Sequence, residues 1–293
     1  MRPANLQTKI LLDSGDPKET RELLSILGFL DGQTTNPSLI AKNPQAQERL
    51  ANGKKFSKEE VMSFYKDVVS EISAMIPDGS VSIEVDANAQ SDADELFAQG
   101  KDMYTWIPNA HIKYPTTAAG LEAAERAIQE GIRVNMTLVF SQEQAAAVYA
   151  ATHKTQSQSL SGLKNVFVSP FIGRLDDRGE NGMDLIRNLM QMYQDSDHHV
   201  AVLAASIRTY EHLMACFAYG TDMVTAPLKI YIEWAEKGMP VPDTQFEYKS
   251  DNLTPIMYTS LDLSKDWSTF DISHQLTDKG LQKFSEDWNN LAE

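Results

Sequence analysis

The stretch AHIKYPTTAAGLEAAERAIQEGIRVNMTLVF, residues 110–140, decides the fold of this chain. It begins with a β-rich run, AHIKYP, continues as a helical pattern from Thr117 to Glu130, and enters a second β-rich run, RVNMTLVF, after Gly131. Glycine commonly follows the last residue of a helix, because it adopts the left-handed conformation there without strain. Strand, helix and strand in this order form the repeating unit of a parallel sheet with crossover helices.

The same alternation continues in both directions along the chain. The β-rich runs are TKILLD, GQTTN, SVSIEVDA, AHIKYP, RVNMTLVF, NVFVSPF, HVAVLAAS and DMVTAP. Eight strands separated by helices close a barrel at roughly 250 residues. With 293 residues, the chain is predicted to be an α/β protein and a (β/α)₈ TIM barrel, formed as one domain over residues 1–293.

Capping boxes predict two helix starts, at Ser57 with Glu60 and at Ser141 with Gln144. The polar stretch 152–162 is predicted to be a helix end that runs into a loop. Residues 238–274 are rich in Pro, Asp and Ser and show no clear period, which indicates a C-terminal insertion. A C-terminal helix is predicted at about 277–291.

Composition excludes several classes of function. The formal net charge is −15 and no Lys/Arg-rich run interrupts the acidic background, so we expect no nucleic-acid partner. The amino-terminal residues lack the apolar stretch of a signal peptide, and no apolar run is long enough to span a bilayer. A single cysteine, Cys216, suits a reducing compartment. The expected location is the cytoplasm, without a membrane partner.

Polar side chains follow the strands in a regular pattern. Side chains alternate between the two faces of a strand, and the aliphatic face of each run should meet the helices. The opposite face is polar and lies mostly near the carboxyl ends of the strands, where barrel enzymes place catalysis. Its members are Asp13, Asn36, Glu84, Lys113, Asn135, Thr137, Ser169 and Ser206. A structural hydrogen-bonding role explains any one of them, but all eight together indicate a binding site.

Lys113 is the most unusual member of this set, because lysine is seldom fully buried. A desolvated amine inside a barrel loses its proton more readily and can attack a carbonyl to form a Schiff base. Nearby carboxylates act in the opposite direction, so the sequence leaves the sign of the net pKa shift open.

Other motifs predict neither a cofactor nor a metal ion. There is no glycine-rich phosphate motif. His198 and His199 lack the helical spacing of a metal pair and indicate a surface pair at the start of a strand. The acidic run Asp176–Asp184 does not match a calcium loop and predicts a solvated loop before a helix.

Seven ordered segments resemble the transaldolases, in particular the short branch that also contains the fructose-6-phosphate aldolases. They are DGQTTNPSLI, SIEVDA, IKYPTTAAGLEAAERAIQEGI, NMTLVFSQEQA, VSPFIGRLDD, AASIR and LTDKGLQKFSEDW. The resemblance extends from Ile10 to about Lys237 and resumes at Leu276. It implies a barrel of the class I aldolase type.

The resemblance implies a role for each matching residue. Lys113 would be the Schiff-base lysine and Asp13 the acid/base for carbon–carbon cleavage. Glu84 and Thr137 would handle the water and protons of imine formation. The implied substrate-binding residues are Asn36, Asn135, Ser169, Phe171, Arg174, Ser206 and Arg208. Arg174, Ser206 and Arg208 form the implied phosphate site, and the planar guanidinium suits that ligand.

The implied reaction transfers a dihydroxyacetone unit from fructose 6-phosphate or sedoheptulose 7-phosphate to erythrose 4-phosphate or glyceraldehyde 3-phosphate, in the pentose phosphate pathway. The partners are therefore small-molecule sugar phosphates. One alternative is a fructose-6-phosphate aldolase. The resemblance implies that members of that group have Gln and Tyr at the positions where this chain has Glu84 and Phe171. Another is a barrel without catalysis that binds phosphosugars or serves as an assembly subunit.

Three features depart from the family pattern. Tyr114 replaces an aliphatic residue and should face outward, and Ile207 replaces a frequent aromatic beside Arg208. The insertion at 238–274 has no counterpart in the short branch. It leaves the oligomeric state open, with a homo-oligomer among the expected states.

Overall fold

A computed structural model describes residues 1–153, 162–243, 245–250 and 252–292. Eight parallel strands form a closed barrel in sequence order, and the last strand pairs with the first. The strands are β1 (Lys9–Asp13), β2 (Gly32–Thr34), β3 (Ser80–Glu84), β4 (Ala110–Pro115), β5 (Val134–Val139), β6 (Val166–Pro170), β7 (Val200–Ala204) and β8 (Met223–Ala226). The predicted (β/α)₈ barrel is confirmed.

Helices connect the strands on the outside of the barrel. Over the described residues they are α1 (Pro17–Leu27), α2 (Pro37–Ala41), α3 (Pro44–Ala51), α4 (Lys58–Met75), α5 (Ala93–Tyr104), α6 (Ala118–Gln129), α7 (Gln142–Thr152), α8 (Ile172–Asp177), α9 (Gly182–Tyr193), α10 (Tyr210–Ala218), α11 (Leu228–Glu236) and α12 (Gln275–Leu291). A 3₁₀ turn covers Trp267–Thr269. No helix of the described chain combines the length and apolar character needed to cross a membrane.

One of the two predicted capping boxes differs in the structure. Ser57 and Glu60 form the reciprocal pair at the start of α4, as predicted. Ser141 caps α7 by accepting from the N–H of Gln144, but the Gln144 side chain accepts from the N–H of Phe140. The Gln144 amide also donates to the Ile272 carbonyl, 3.0 Å away, so contacts with the C-terminal part of the chain replace the local box. The predicted loop beyond α7 falls mostly at 154–161, outside the described residues.

The barrel interior has two layers with different chemistry. Its lower layer is an apolar cluster that includes Leu11, Phe167 and Leu203. His111 stacks on Phe167 with ring centroids 4.0 Å apart, and burial lowers the His111 pKa to about 3. This imidazole is therefore neutral and structural. Because the lower layer is filled, the polar site is confined to the carboxyl ends of the strands.

Tyr114 faces outward from β4 and is fully buried against α5. Gly100 in α5 makes this possible, because a Cβ at that position would collide with the tyrosine hydroxyl. The hydroxyl has no hydrogen-bond partner among the described residues. The substitution at this position therefore alters packing between strand and helix, outside the barrel interior.

Residues 238–274, named here the crossing segment, run over the outside of α7 and α9, with little regular structure in the part that is described. Polar contacts attach the crossing segment to those helices. Gln142 accepts from the N–H of Thr259 at 2.9 Å and donates to the Met257 carbonyl at 2.9 Å. Asn188 donates to the Ile256 carbonyl at 2.8 Å. The chain then enters α12, which packs against α2 beside the carboxyl end of the barrel.

Candidate active site

A cavity of about 410 Å³ opens at the carboxyl ends of the strands. Nine of the eleven residues proposed from the sequence line it: Asp13, Asn36, Lys113, Thr137, Ser169, Phe171, Arg174, Ser206 and Arg208. The other two, Glu84 and Asn135, lie directly beneath these side chains and contact them. The structure thus brings the whole predicted set together.

Lys113 lies at the floor of the cavity with 4% of its side chain exposed. Its Nζ is 2.7 Å from Glu84 Oε2, and the two groups form a close ion pair. Nζ also donates to the Thr35 carbonyl at 2.9 Å. The register of β3 against β4 places Glu84 opposite Lys113, so two neighbouring strands build the pair. Burial raises the pKa of Glu84, although the Lys113 ammonium opposes that shift.

Tyr65, on α4, fixes the backbone around this pair from outside the cavity. Its hydroxyl is 2.5 Å from Thr35 Oγ1 and accepts from the N–H of Glu84 at 2.9 Å. The Thr35 hydroxyl donates to the Ser82 carbonyl, so the tyrosine donates to Thr35. One buried hydroxyl therefore connects the segment after β2 to the end of β3, the two segments that contact the amine.

Asp13 ends β1 and lies on the cavity wall. Thr34 donates to its Oδ1 at 2.7 Å, and the Thr225 hydroxyl is 2.6 Å from that of Thr34. Burial raises the pKa of Asp13, while the Thr34 hydrogen bond and the Lys113 ammonium act in the opposite direction. A carboxyl with a raised pKa exchanges its proton closer to neutral pH than an exposed aspartate does.

A chain of hydrogen bonds crosses the floor between β3, β5 and β6. Ser169 donates to Asn135 Oδ1 at 2.6 Å, and Asn135 Nδ2 donates to Ser82 at 3.1 Å. Thr137 is different, because its buried hydroxyl has no hydrogen-bond partner among the described residues. A buried hydroxyl without a partner costs free energy until a water or ligand pairs with it, and Thr137 lines the cavity.

Asn36 immediately precedes α2, at the edge of the cavity. Its Oδ1 accepts from the N–H of Leu39 and caps the helix. The cap fixes the orientation of the amide, which lines the cavity. The same residue therefore has a structural role in α2 and a position that suits a substrate hydroxyl.

Arg174, in α8, lies between two aromatic rings. Its guanidinium carbon is 5.1 Å from the centroid of Phe171 and 5.3 Å from that of Phe284 in α12. Gly280 leaves space for this arrangement, because a Cβ there would come within 2.7 Å of Arg174 Nη1. Burial lowers the pKa of Arg174. Because the ordinary pKa of arginine is far above neutral pH, the side chain remains a cation.

Arg208 is the more exposed of the two arginines, with half of its side chain accessible. It donates to Asp177 at 3.0 Å and lies 3.4 Å from the Ser206 hydroxyl. Ser206 has a φ of +58°, a conformation that L side chains rarely adopt. Gly173 packs against both residues, and a Cβ there would collide with the arginine side chain.

A buried histidine supports this turn from behind. His212 Nδ1 accepts from the N–H of Arg208, and its Nε2 is 2.7 Å from Asp176 Oδ2. Tyr248, from the crossing segment, places its hydroxyl 2.8 Å from the same Nε2. Asp176 was expected in a solvated loop, which is wrong: it lies in α8 with 18% of its side chain exposed.

Several residues at the cavity mouth were not predicted from the sequence. Lys283, Phe284 and Asp287 come from α12, and Lys42 follows α2. Asp287 pairs with Lys283 at 2.6 Å and accepts from Ser38 in α2. Thr34 could have been found, since it shares the inward face with Asn36. No local pattern marks the α12 residues, because their place depends on how that helix packs.

Comparison with known proteins identifies the family of this chain. The family described as "Transaldolase/Fructose-6-phosphate aldolase" matches residues 10–293. The chain is 32% identical to a "Probable transaldolase" of Dehalococcoides mccartyi, over 97% of this chain and 99% of that one. It is 33% identical to a "Probable transaldolase" of Herpetosiphon aurantiacus, over 97% and 96%. A "Probable transaldolase" of Cytophaga hutchinsonii is 38% identical over 76% of this chain and 88% of its own length. The chain belongs to the transaldolase/fructose-6-phosphate aldolase family.

Proposed function

We propose that this protein is a transaldolase that transfers a dihydroxyacetone unit from a ketose phosphate to an aldose phosphate through a Schiff base on Lys113. The observation that carries the proposal is the position of this amine. It is almost fully buried, paired with one carboxylate, and lies in a cavity that also contains a second carboxylate and two arginines.

The first stage forms the imine. The neutral Lys113 amine attacks C2 of the ketose, and the carbonyl oxygen takes up a proton to give a carbinolamine. That hydroxyl then leaves as water with a second proton, and the nitrogen lone pair forms the iminium. Glu84, 2.7 Å from Nζ, can accept the ammonium proton and return it to the leaving oxygen. The Thr137 hydroxyl can orient the departing water.

The second stage breaks the carbon–carbon bond. Asp13 takes the proton of the C4 hydroxyl, the C3–C4 bond breaks, and its electron pair moves toward the iminium to form an enamine. The C4 hydroxyl becomes the carbonyl of the released aldose phosphate. An acceptor aldose phosphate then adds in the reverse sense, with Asp13 returning the proton to the new hydroxyl. Hydrolysis of the new iminium frees the ketose product and Lys113.

Arg174, Arg208 and Ser206 are proposed to bind the substrate phosphate. Arg174 belongs to α8, and Arg208 donates to Asp177 of the same helix, so both guanidinium groups lie on the α8 side of the cavity. Charged hydrogen bonds from arginine to phosphate are strong and directional. Asn36, Asn135 and Ser169 are proposed to contact the sugar hydroxyls.

Two residues favour transfer over release of free dihydroxyacetone. Release requires a proton for the enamine carbon and a prompt attack of water on the iminium. Phe171 presents a ring without a hydroxyl to the cavity. The family resemblance implies a Gln in the aldolase group at the position where this chain has Glu84. The cavity wall at Phe171 therefore supplies no proton, so the enamine persists until an acceptor arrives.

Borohydride trapping tests this proposal. Reduction in the presence of fructose 6-phosphate should attach one dihydroxyacetone unit to the wild-type chain, and peptide mass spectrometry should locate it at Lys113. Lys113→Ala should abolish the adduct, whereas Lys101→Ala, which removes an exposed lysine paired with Glu130, should not. An adduct at another lysine, or one that survives Lys113→Ala, would refute the mechanism.

A further inference from the structure

A second cluster of polar residues lies at the opposite end of the barrel from the cavity. His153 follows the last residue of α7, and Asp197 and His199 precede β7. They are therefore at the amino-terminal side of the strands, whereas the cavity is at the carboxyl ends. His199 was expected in a surface pair with His198, but only 12% of its side chain is exposed. No local pattern marks this cluster, because His153 and His199 are far apart along the chain.

Both imidazoles direct the same nitrogen toward one carboxylate. His199 Nδ1 is 2.5 Å from Asp197 Oδ1, and His153 Nδ1 is 3.4 Å from Asp197 Oδ2. One ligand atom from each residue lies within 4.8 Å of the other two. Two imidazole nitrogens and a carboxylate oxygen form a donor set that suits zinc and its neighbours in the first transition series.

The hydrogen bonds of His199 specify which nitrogen carries a hydrogen. The Thr152 hydroxyl donates to the Val148 carbonyl at 2.7 Å, so its oxygen accepts from His199 Nε2, 3.1 Å away. A neutral imidazole with hydrogen on Nε2 presents a lone pair at Nδ1. That lone pair faces Asp197 Oδ1 at 2.5 Å, and the two repel unless a cation lies between them.

That cation is either a proton on Nδ1 or a metal ion. A proton on His199 Nδ1 would bridge only His199 and Asp197. A metal ion could bind both histidines and the carboxylate. In a tetrahedral zinc site, ligand atoms about 2.0–2.1 Å from the ion are roughly 3.3 Å from each other. The separation of His153 Nδ1 from Asp197 Oδ2, 3.4 Å, already fits this value. His199 Nδ1 lies 2.5 Å from the other carboxylate oxygen, Oδ1, so the carboxylate would face the ion with both oxygens and this contact would lengthen by less than about 1 Å.

The surroundings support an ion at this position. Thr152 fixes the ring of His199 through the nitrogen that would not bind metal, as outer groups do in zinc sites. Tyr149 donates to Asp197 at 3.1 Å and orients the carboxylate. The side chains of His153 and Asp197 are 59% and 43% exposed, so an ion can reach them from solvent.

We propose that His153, Asp197 and His199 form a binding site for a divalent transition-metal ion of the zinc class. Water would complete the coordination. A bound ion would join the carboxyl end of α7 to the start of β7, on the side of the barrel away from the cavity. Its effect would be on stability, and the transfer reaction would not depend on it.

Metal binding by the chelator-treated full-length chain tests the proposal. Calorimetric titration with zinc chloride should show one site, and cobalt chloride should give the visible absorption of a tetrahedral complex. His153→Ala and Asp197→Asn should each weaken zinc binding by more than the roughly 10- to 100-fold that loss of an outer-shell group costs, and should abolish the rise in melting temperature that zinc produces in the wild type. Both positions are exposed enough that the variants should fold.

His198→Asn is the matched control, because it removes the adjacent histidine at a position with a φ of +56°, which asparagine tolerates. This variant should bind zinc as the wild type does. The proposal is overturned if the wild type binds no zinc. It is also overturned if His153→Ala binds zinc with unchanged affinity, or if the loss occurs in His198→Asn.

Discussion

The backbone N–H of Arg208 donates to Nδ1 of the buried His212, with the two nitrogens 3.3 Å apart. Through this bond the turn that carries Arg208 is connected to Asp176 and to Tyr248 of the crossing segment. The segment that departs from the family pattern therefore contacts the proposed phosphate site indirectly.

Tyr248→Phe should loosen this turn. Loss of a hydrogen bond of about 1 kcal/mol corresponds to roughly a fivefold increase in KM for fructose 6-phosphate. We expect kcat to change less than KM, because Tyr248 does not contact the cavity residues of the reaction. Tyr258→Phe, at an exposed tyrosine of the same segment, is the control and should leave both constants unchanged. An equal effect of both variants would show that the contact with His212 has no role in binding.

Arg174→Ala and Arg208→Ala should each lower kcat/KM more for phosphorylated substrates than for unphosphorylated ones. Loss of a charged hydrogen bond costs about 1.5–3 kcal/mol, which lowers kcat/KM for fructose 6-phosphate roughly 10- to 150-fold. The loss for fructose should be much smaller. Arg187→Ala removes an arginine that contacts Tyr219 outside the cavity and should change neither value. Equal losses with fructose and fructose 6-phosphate would exclude a phosphate role.

Asp13→Asn should abolish carbon–carbon cleavage and increase the stability of the folded protein. Burial raises the pKa of Asp13, so the folded state binds this proton more tightly than the unfolded chain does. At neutral pH the buried carboxyl therefore lowers the free energy of unfolding, and Asn should raise that free energy while cleavage is lost.

The gain should disappear as the pH falls below the ordinary aspartate value of about 3.9, because Asp13 is then protonated in both states. Thermal melts at neutral pH and near that value measure the difference. Asp94→Asn, at an aspartate that is 85% exposed, provides the comparison. A lower melting temperature for Asp13→Asn at neutral pH would contradict the expected sign.

Phe171→Tyr should increase the release of free dihydroxyacetone from fructose 6-phosphate, measured without an acceptor. A hydroxyl at this position can donate a proton or orient water, and such catalysis contributes factors of roughly 100 or more when well placed. We expect a rise of roughly tenfold, and a larger one in combination with Glu84→Gln. Phe97→Tyr adds a hydroxyl on α5, outside the cavity, and should have little effect. If the unmodified protein releases dihydroxyacetone as fast as it transfers it, the aldolase alternative is correct.

The sequence predicted the barrel and the inward polar face because both depend on local periodicity. Alternation along β3, β4 and β5 assigns Glu84, Lys113, Asn135 and Thr137 to one face whatever the rest of the chain does. When the eight strands close into a barrel, the carboxyl ends of β3, β4 and β5 come together.

Contacts between distant segments could not be predicted in the same way. Lys283 and Phe284 reach the cavity only because α12 packs on α2, and the pattern of α12 alone does not specify that partner. The Gln144 side chain likewise contacts Ile272 and departs from the local capping box. In each case a tertiary contact determined the position of a side chain. The local sequence pattern predicted either no contact or a different one.

The packing of α12 on α2 also has a consequence for the order of folding. Ser38 and Asp287, which meet at the cavity mouth, are 249 residues apart in sequence. Contacts that close such long loops form slowly, because the chain loses much conformational entropy before they are made. In refolding from denaturant we expect the far-ultraviolet circular dichroism of the helices, whose hydrogen bonds are local, to recover first. The competence to bind a sugar phosphate should return later, when the last helix docks.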